Sequence, residues 1–363
     1  MSVSLGGSSR AGRVLGPSLD KIIKNVAWRK HSQLVAACKS VLDKLETLAD
    51  SSDPNSNSPV FGLSVSDAEF VLQPLLLALD SASAKVMEPA LECLFKLCSL
   101  GLIRGVIDRK GMIEAVCKSA GSGEDAVDLA VLKVLLSAVR SSCVYIRGEC
   151  LVHIVKTCYN VYLGSVSGTN QICAKAVLAQ IMLIVFARME EDSMEVGIRT
   201  VSVNELLEFT DRNLNEGNSI QIVQSFIYEV MEASEGNASP VVEVPNGSKG
   251  DGKTEVDNGE MENGAESSGE SVIREDGFLI FKNLCKLSMK FSSQDQSDDL
   301  ILLRGKILSL ELLKVVMNNG GPIWRSNERS VIRCLKMCCA SAPSTANTSY
   351  HLFKYKISHD FDL

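Results

Sequence analysis

At 363 residues, with 45% hydrophobic but only 5% aromatic content, the chain can bury a sizeable core, and a Leu-, Val- and Ile-rich composition with nine prolines favours packed helices over a β-sandwich. A formal charge of -7 and a pI near 5.3 exclude a general nucleic-acid binder, because neutralising phosphates needs a basic surface. No run of 18 apolar residues occurs; the longest uncharged stretch in the third helix pair, 176–187, has 12 residues, too few to span a bilayer.

The first residues offer Arg10 and Arg13 but no apolar h-region, and Ser2 replaces the glycine that N-myristoylation requires, so the expectation is a cytosolic chain. Twelve cysteines are present, and Cys93, Cys98, Cys117 and Cys173 sit within apolar helical faces, which predicts reduced, buried thiols.

Taken in chain order, residues 1–14 are rich in Ser, Gly and Arg and are expected to be disordered. Pro17 suits a first helical turn, followed by the stripe Leu19, Ile22, Ile23, Val26. A second helix carries Leu34, Val35, Cys38, Val41, Leu42, Leu45 and Leu48. Between the two lies the basic corner Trp28, Arg29, Lys30, His31, which reads either as a solvated turn with Trp28 in the core or as a partner-binding corner. Residues 50–62 form a loop, and Asp67 is the expected cap of a helix over 68–79. Glu88-Pro89 is expected to open a helix that Gly101 closes, and another helix is expected over 107–117 before a turn at 121–124.

The stretch 129–163 organises this half of the chain. Leu129, Leu132, Leu135, Leu136 and Val139 share one helical face, and Leu151, Ile154, Val155, Cys158 and Tyr162 share another, with Ser141-Ser142 between them. The spacing predicts a helical hairpin that needs similar neighbours on both sides. A helix over 172–189, broken only by Lys175 and Gln180 in its centre, must be buried nearly all round. Leu91, Leu132 and Leu178 are then separated by 41 and 46 residues, inside the roughly 40–47 of HEAT or armadillo units. The fold class expected is all-α, an armadillo/HEAT-like helical repeat solenoid. A last pair over 203–213 and 220–231 closes the array.

Residues 235–271 are rich in Gly, Glu, Asn and Ser and read as a disordered acidic linker, with Ser267, Ser268 and Ser271 as candidate phosphorylation sites. Helices are expected to resume at Asp276 with Phe278, Phe281, Leu284 and Leu287. The strongest runs over 300–317 with Leu303, Ile307, Leu310 and Leu313 on one face and stops at Asn318-Asn319-Gly320-Gly321.

Chemistry-bearing residues are few. Cys143, Cys150, His153 and Cys158 have metal-ligand types, but a first spacing of six fits core thiols better than paired zinc ligands. Cys334, Cys338 and Cys339 lack a fourth ligand. His31, His153, His351 and His359 have no nucleophile motif beside them, and Gly247-Ser248-Lys249-Gly250 is not a phosphate-binding loop. The reading is no catalytic residue, no cofactor and no metal.

Two segments carry a resemblance. Leu15-Gly16-Pro17-Ser18-Leu19-Asp20-Lys21-Ile22-Ile23-Lys24-Asn25-Val26-Ala27-Trp28-Arg29-Lys30-His31 resembles the N-terminus of plant brefeldin A-inhibited guanine-nucleotide exchange proteins, large activators of ARF GTPases in Golgi and endosomal traffic. Leu303-Arg304-Gly305-Lys306, Leu310-Glu311-Leu312-Leu313 and Gly321-Pro322-Ile323-Trp324-Arg325 resemble the start of that family's next conserved region. The resemblance implies a helical dimerisation and cyclophilin-binding (DCB) domain at 15–232 and, after a linker at 233–275, the start of a homology-upstream (HUS) region at 276–329. It implies a non-catalytic regulatory fragment, since the exchange domain with its catalytic glutamate has no counterpart here. Nor does the HUS Asn-aromatic-Asp-Cys-Asp box.

Implied partners are DCB and HUS regions of the same family, a cyclophilin, and a second copy in a homodimer. The implied location is cytosolic, with peripheral recruitment to trans-Golgi and early-endosome membranes. From Ser330 the pattern departs, and 330–363 reads as an atypical tail of the kind that a truncated gene model, an alternative transcript or a retained intron would each produce. The alternative reading is a free-standing armadillo-like adaptor that binds peptide or helical partners.

Overall fold

The computed structural model describes residues 7–27, 30–50, 58–106, 111–207, 217–233, 272–288 and 296–326. The expected acidic linker and the tail from Ser330 lie outside these residues, as do Trp28 and Arg29.

Thirteen helices are present among the described residues. Helix α1 (Arg10–Asn25) begins earlier than Pro17 predicts, so part of the segment expected to be disordered is helical. Ser9 makes this start: its hydroxyl accepts from the Gly12 N–H at 3.0 Å, and Ala11 and Leu15 extend the buried stripe of Leu19 and Ile22 backwards. Pro17 therefore sits inside the helix. Helix α2 (Ser32–Thr47) follows as expected.

In α3 (Val65–Leu79) the cap is Ser64, not Asp67: the Ser64 hydroxyl accepts from the Asp67 N–H and lies 2.7 Å from its carboxylate. Helix α4 (Ala84–Ser99) opens before Glu88-Pro89, placing Pro89 in its interior. A proline there leaves the Lys85 carbonyl without its helical donor, and the Asn25 side-chain amide donates to that oxygen at 2.8 Å. The helix ends as Gly101 predicts. With φ at +62°, Gly101 lets its own N–H reach Cys98 O and the Leu102 N–H reach Leu97 O, the paired bonds that satisfy the last carbonyls.

Of the helix expected over 107–117, residues 107–110 lie outside the described residues. Gly105–Val106 forms strand β1, and α5 spans Met112–Ser119. Helix α6 (Asp125–Arg140), strand β2 (Val144–Tyr145) and α7 (Gly148–Gly164) follow. The predicted hairpin over 129–163 is thereby corrected: α6 packs on α4, α5 and the next helix, α8 (Gly168–Glu191), while α7 packs chiefly on α8. The connection after Arg140 is long enough for Val144–Tyr145 to pair in parallel with Gly105–Val106, and this carries the chain to the other layer.

Two rows result. Helices α1, α4, α6 and α8 pack side by side in one, and α2, α3, α5 and α7 in the other. Leu91, Leu132 and Leu178 are fully buried, one in each of three successive members of the first row. Helices α9 (Val203–Leu207) and α10 (Gly217–Ala233) lie against α8. Helix α11 (Val272–Ser288), which starts four residues before Asp276, pairs with α12 (Gln296–Asn319), and both close over α7 and α8. A short α13 (Pro322–Ser326) rests on α8.

At 24 residues α8 is long and apolar enough to cross a membrane by length and composition, yet 89% of that stretch is buried inside this fold. Its Arg188 replaces water at the end of a neighbour. The guanidinium donates to Val139 O at 2.8 Å, Arg140 O at 3.1 Å and Ser141 O at 3.3 Å, carbonyls at the end of α6. Burial lowers its pKa to about 10, and nearby Arg140 acts in the same direction.

Two outcomes are expected. Arg188→Leu leaves these buried carbonyls without donors and destabilises the solenoid by about 3 kcal/mol, measured by urea unfolding. Asp128, whose carboxylate accepts from the Gly121 N–H at 2.8 Å, has its pKa raised by burial, with the charge of Asp125 adding to the effect. A raised folded-state pKa means this group favours the fold most in acid and less as pH rises through the folded value. Asp128→Asn keeps an oxygen acceptor for Gly121, so thermal melts are expected to show its advantage over the native chain growing from pH 4 to pH 7.

Candidate protein-interaction site

The polar side chains of α8 define the site. A helix enclosed on all sides must find partners for each polar group it carries. Asn170 donates to the carbonyl and carboxylate of Asp125 at 3.0 and 3.2 Å, at the start of α6. Gln180 donates to Arg199 O at 3.0 Å and accepts from the Val201 N–H at 2.8 Å, holding the segment that leads into α9. Arg188 holds the end of α6, and Lys175 and Glu190 face α12 and α13.

Lys175, 1% exposed, meets Glu311 of α12 at 2.8 Å. Glu190 lies at the start of α13, accepting from the Ile323 N–H at 3.0 Å and the Trp324 N–H at 2.8 Å, so a carboxylate of one segment caps a helix of the other. Trp324 is 1% exposed and stands edge-on to Phe186 of α8 and Phe281 of α11, at 6.1 and 5.3 Å between ring centres. The Gly320-Gly321 stop therefore also turns the chain so that the tryptophan reaches α8.

Helix α7 supplies the other half. Arg147 donates to the Asp276 carboxylate at 2.9 Å and the Gly148 N–H donates to its second oxygen at 2.7 Å. The Tyr159 hydroxyl donates to Gly305 O at 2.5 Å with Ser309 beside it at 3.2 Å, and burial raises the tyrosine pKa. Arg304 lies over the Tyr162 ring at 5.3 Å and donates to Tyr162 O. A side chain at Gly305 has no room, since a Cβ there would stand 2.6 Å from the Tyr159 hydroxyl.

The buried face of α12 corrects the expected one. Gly305, Leu308, Ser309, Leu312, Leu313 and Val316 turn inward, whereas Leu303 is 50% exposed and Ile307 and Leu310 are only half-buried. Of the expected face only Leu313 is buried. The cause is Lys175 and Tyr159, whose partners Glu311, Gly305 and Ser309 fix which side of α12 faces inward.

The other residues singled out from sequence fall elsewhere. Lys30 is exposed, His31 is half-buried, and both backbone N–H groups donate to Ala27 O in the turn before α2, at the end of the solenoid away from α11 and α12. Cys143, Cys150, His153 and Cys158 are not gathered: among the described residues no group of three or more His, Cys, Asp or Glu side chains is placed to hold a metal ion. The nine described cysteines are free thiols, eight of them buried, and burial pushes Cys117 up to about 11. His153 instead edges a cavity of about 530 Å³ between α5 and α7, with Glu114, Lys118, Thr157 and Asn160.

Two substitutions separate the joint from the solenoid. Glu311→Ala removes the partner of a buried lysine, a loss of about 3–5 kcal/mol for such a pair, and lifting α12 away is the route by which Lys175 regains water. Gly305→Ala forces α12 off Tyr159 at a cost of about 1–3 kcal/mol. Both are expected to speed amide hydrogen exchange in α11–α13 while leaving α1–α6 unchanged.

Comparisons with known proteins match the two sides of this joint separately. The family model for the Mon2/Sec7/BIG1-like dimerisation and cyclophilin-binding domain matches residues 8–193, and that for the Mon2/Sec7/BIG1-like HUS domain matches residues 273–350, running past Ser330 into the tail set apart on sequence. Brefeldin A-inhibited guanine nucleotide-exchange proteins 1 and 4 of Arabidopsis thaliana are 59% and 52% identical, each over 94% of this chain. The human protein 1 of that name is 24% identical over 97% of the chain. The chain spans only 20%, 21% and 27% of these relatives' lengths. With a DCB match covering α1–α8 and a HUS match covering α11–α13, the chain belongs to the Mon2/Sec7/BIG1-like family of brefeldin A-inhibited guanine-nucleotide exchange proteins.

Proposed function

We propose that the chain acts as a non-catalytic regulatory and interaction region of a large ARF guanine-nucleotide exchange factor in Golgi and endosomal vesicle traffic. The observation that supports this most directly is the seating of α11–α13 on α7 and α8 through Lys175–Glu311, Glu190 and Trp324, which joins a DCB-matched to a HUS-matched segment. The residues matched are the DCB and HUS regions, so this stretch works by presenting helix faces to partners. The description of the matched domain as dimerisation and cyclophilin-binding supports self-association into a homodimer and cyclophilin binding, and the joint between α8 and α12 supports contact with DCB and HUS regions of other family members. The basic corner at Trp28, Arg29, Lys30 and His31 is a candidate contact at the far end of the stack. The chain is proposed to be cytosolic, with peripheral recruitment to trans-Golgi and early-endosome membranes.

The adaptor reading draws on the cavity between α5 and α7, an inter-repeat groove of the kind that accepts peptide or helical ligands. Light scattering on the purified chain, a pull-down read by mass spectrometry, and an ARF nucleotide-exchange assay separate these readings. The expected outcome is a dimer that retains HUS-containing family members and leaves exchange at its uncatalysed rate. A strict monomer that captures only unrelated cargo peptides supports the adaptor, and exchange above the uncatalysed rate overturns the non-catalytic reading.

A further inference from the structure

The cavity of about 530 Å³ between α5 and α7 is negative, and the reasons lie in the ends of the helices around it. Both helices finish there: Ala120 and Gly121 follow the last turn of α5, and Gly164 and Ser165 close α7. The last carbonyls of a helix carry partial negative charge, which a lysine or arginine in the final turn ordinarily offsets. Helix α7 has no basic residue there. Helix α5 has Lys118, but Glu114 pairs with it at 2.9 Å. The first turn of α6 adds Asp125 and Asp128, so three carboxylates and one ammonium line the cavity beside His153. Asp125 answers the positive start of its own helix and accepts from Asn170 at 3.2 Å.

Asp128 is the group that the fold leaves incomplete. It is 5% exposed, one of its oxygens accepts from the Gly121 N–H at 2.8 Å, and among the described residues no hydrogen bond or ion pair reaches the other. A neutral amide closes the same loop without burying a charge, so holding Gly121 does not account for a carboxylate. A buried carboxylate that lines a cavity and lacks a second donor is a place for a donor to arrive from outside. The acidic groups here are not arranged as metal ligands, since among the described residues no three His, Cys, Asp or Glu side chains stand together as a metal-binding set. A guanidinium fits better than an ammonium: it is planar, donates two parallel N–H groups to a carboxylate, and is more weakly hydrated, so it gives up less on leaving water. At the rim Val166 is 98% exposed, an aliphatic contact for whatever residue accompanies the cation.

We propose that this cavity receives an arginine side chain presented by a partner segment, with Asp128 as its carboxylate partner and Val166 against the aliphatic residue beside it. The inference rests on the interaction role proposed above and gives that role a recognition chemistry.

The probe is an acetylated, amidated tripeptide with arginine between two leucines, titrated into the isotopically labelled full chain and followed by amide chemical shifts. Its control carries citrulline, the neutral isostere of arginine. The arginine peptide is expected to shift the amides of Gly121, Gly123 and Gly164 and to bind on the order of tenfold more tightly than the citrulline peptide. Asp128→Asn keeps an acceptor for Gly121 and is expected to remove that preference while leaving citrulline binding unchanged. Val166→Ser, at a position the fold does not bury, is expected to weaken both peptides about threefold. Equal binding of the two peptides overturns the proposal, as does an arginine preference that survives Asp128→Asn, shifts confined to other parts of the chain, or no binding at millimolar peptide. Each of these results bears on the cavity alone, and light scattering and the pull-down still decide the interaction role.

Discussion

The architecture depends on a helix with no solvent-facing side. Burying α8 removes its apolar atoms from water at a gain of roughly 25 cal/mol per Å², but each polar group on it must then meet a partner. Five do so on four neighbours: Asn170 at the start of α6, Arg188 at its end, Gln180 on the segment before α9, Lys175 on α12 and Glu190 on α13. Apolar contact alone permits α8 to slide or rotate against its neighbours. These five side chains fix one register for all of them, since each satisfied bond is lost if its helix shifts by a residue.

This division of labour separates the two parts of the chain. Within α1–α7 the helices are held by aliphatic packing between successive turns of the solenoid, with caps such as Ser9, Ser64 and the Asn25–Lys85 bond finishing the helix ends. The α11–α13 layer adds directed contacts to its aliphatic packing: two carboxylates paired with Arg147 and Lys175, a tyrosine hydroxyl, and one tryptophan between two phenylalanines. A contact of that composition is sensitive to single substitutions, and it joins segments that the family models treat as distinct. The joint is where the two matched segments meet.

Much of the fold was legible from periodicity. The all-α class, the buried helix after Gly168, the burial of Leu91, Leu132 and Leu178, and the glycine stop at Gly101 all follow from spacing and backbone freedom. Helix starts were less so. Pro17 and Pro89 read as first-turn residues but lie inside helices, because a proline is tolerated where another group, Asn25 in the second case, satisfies the carbonyl it orphans. The site was less legible again: Lys175 and Gln180 stood out only as interruptions of an apolar run, and Glu190, Tyr159 and Glu311 carried no local signal. Their partners lie more than a hundred residues away, or across a turn of the solenoid, where no sequence window reaches.

What the sequence alone determined is where apolar helical faces lie, since the 3.6-residue period marks such a face whatever covers it. It could not determine what covers each face. The stripes over 129–163 mark two helices whose main partners lie elsewhere, because a two-residue strand pairing moves α7 to the other row. On α12 two stripes were available, and the side of the helix that faces α8 was decided by Lys175, Tyr159 and the space at Gly305. Hydrophobicity is not directional, so tertiary choice fell to the few polar and steric contacts that are.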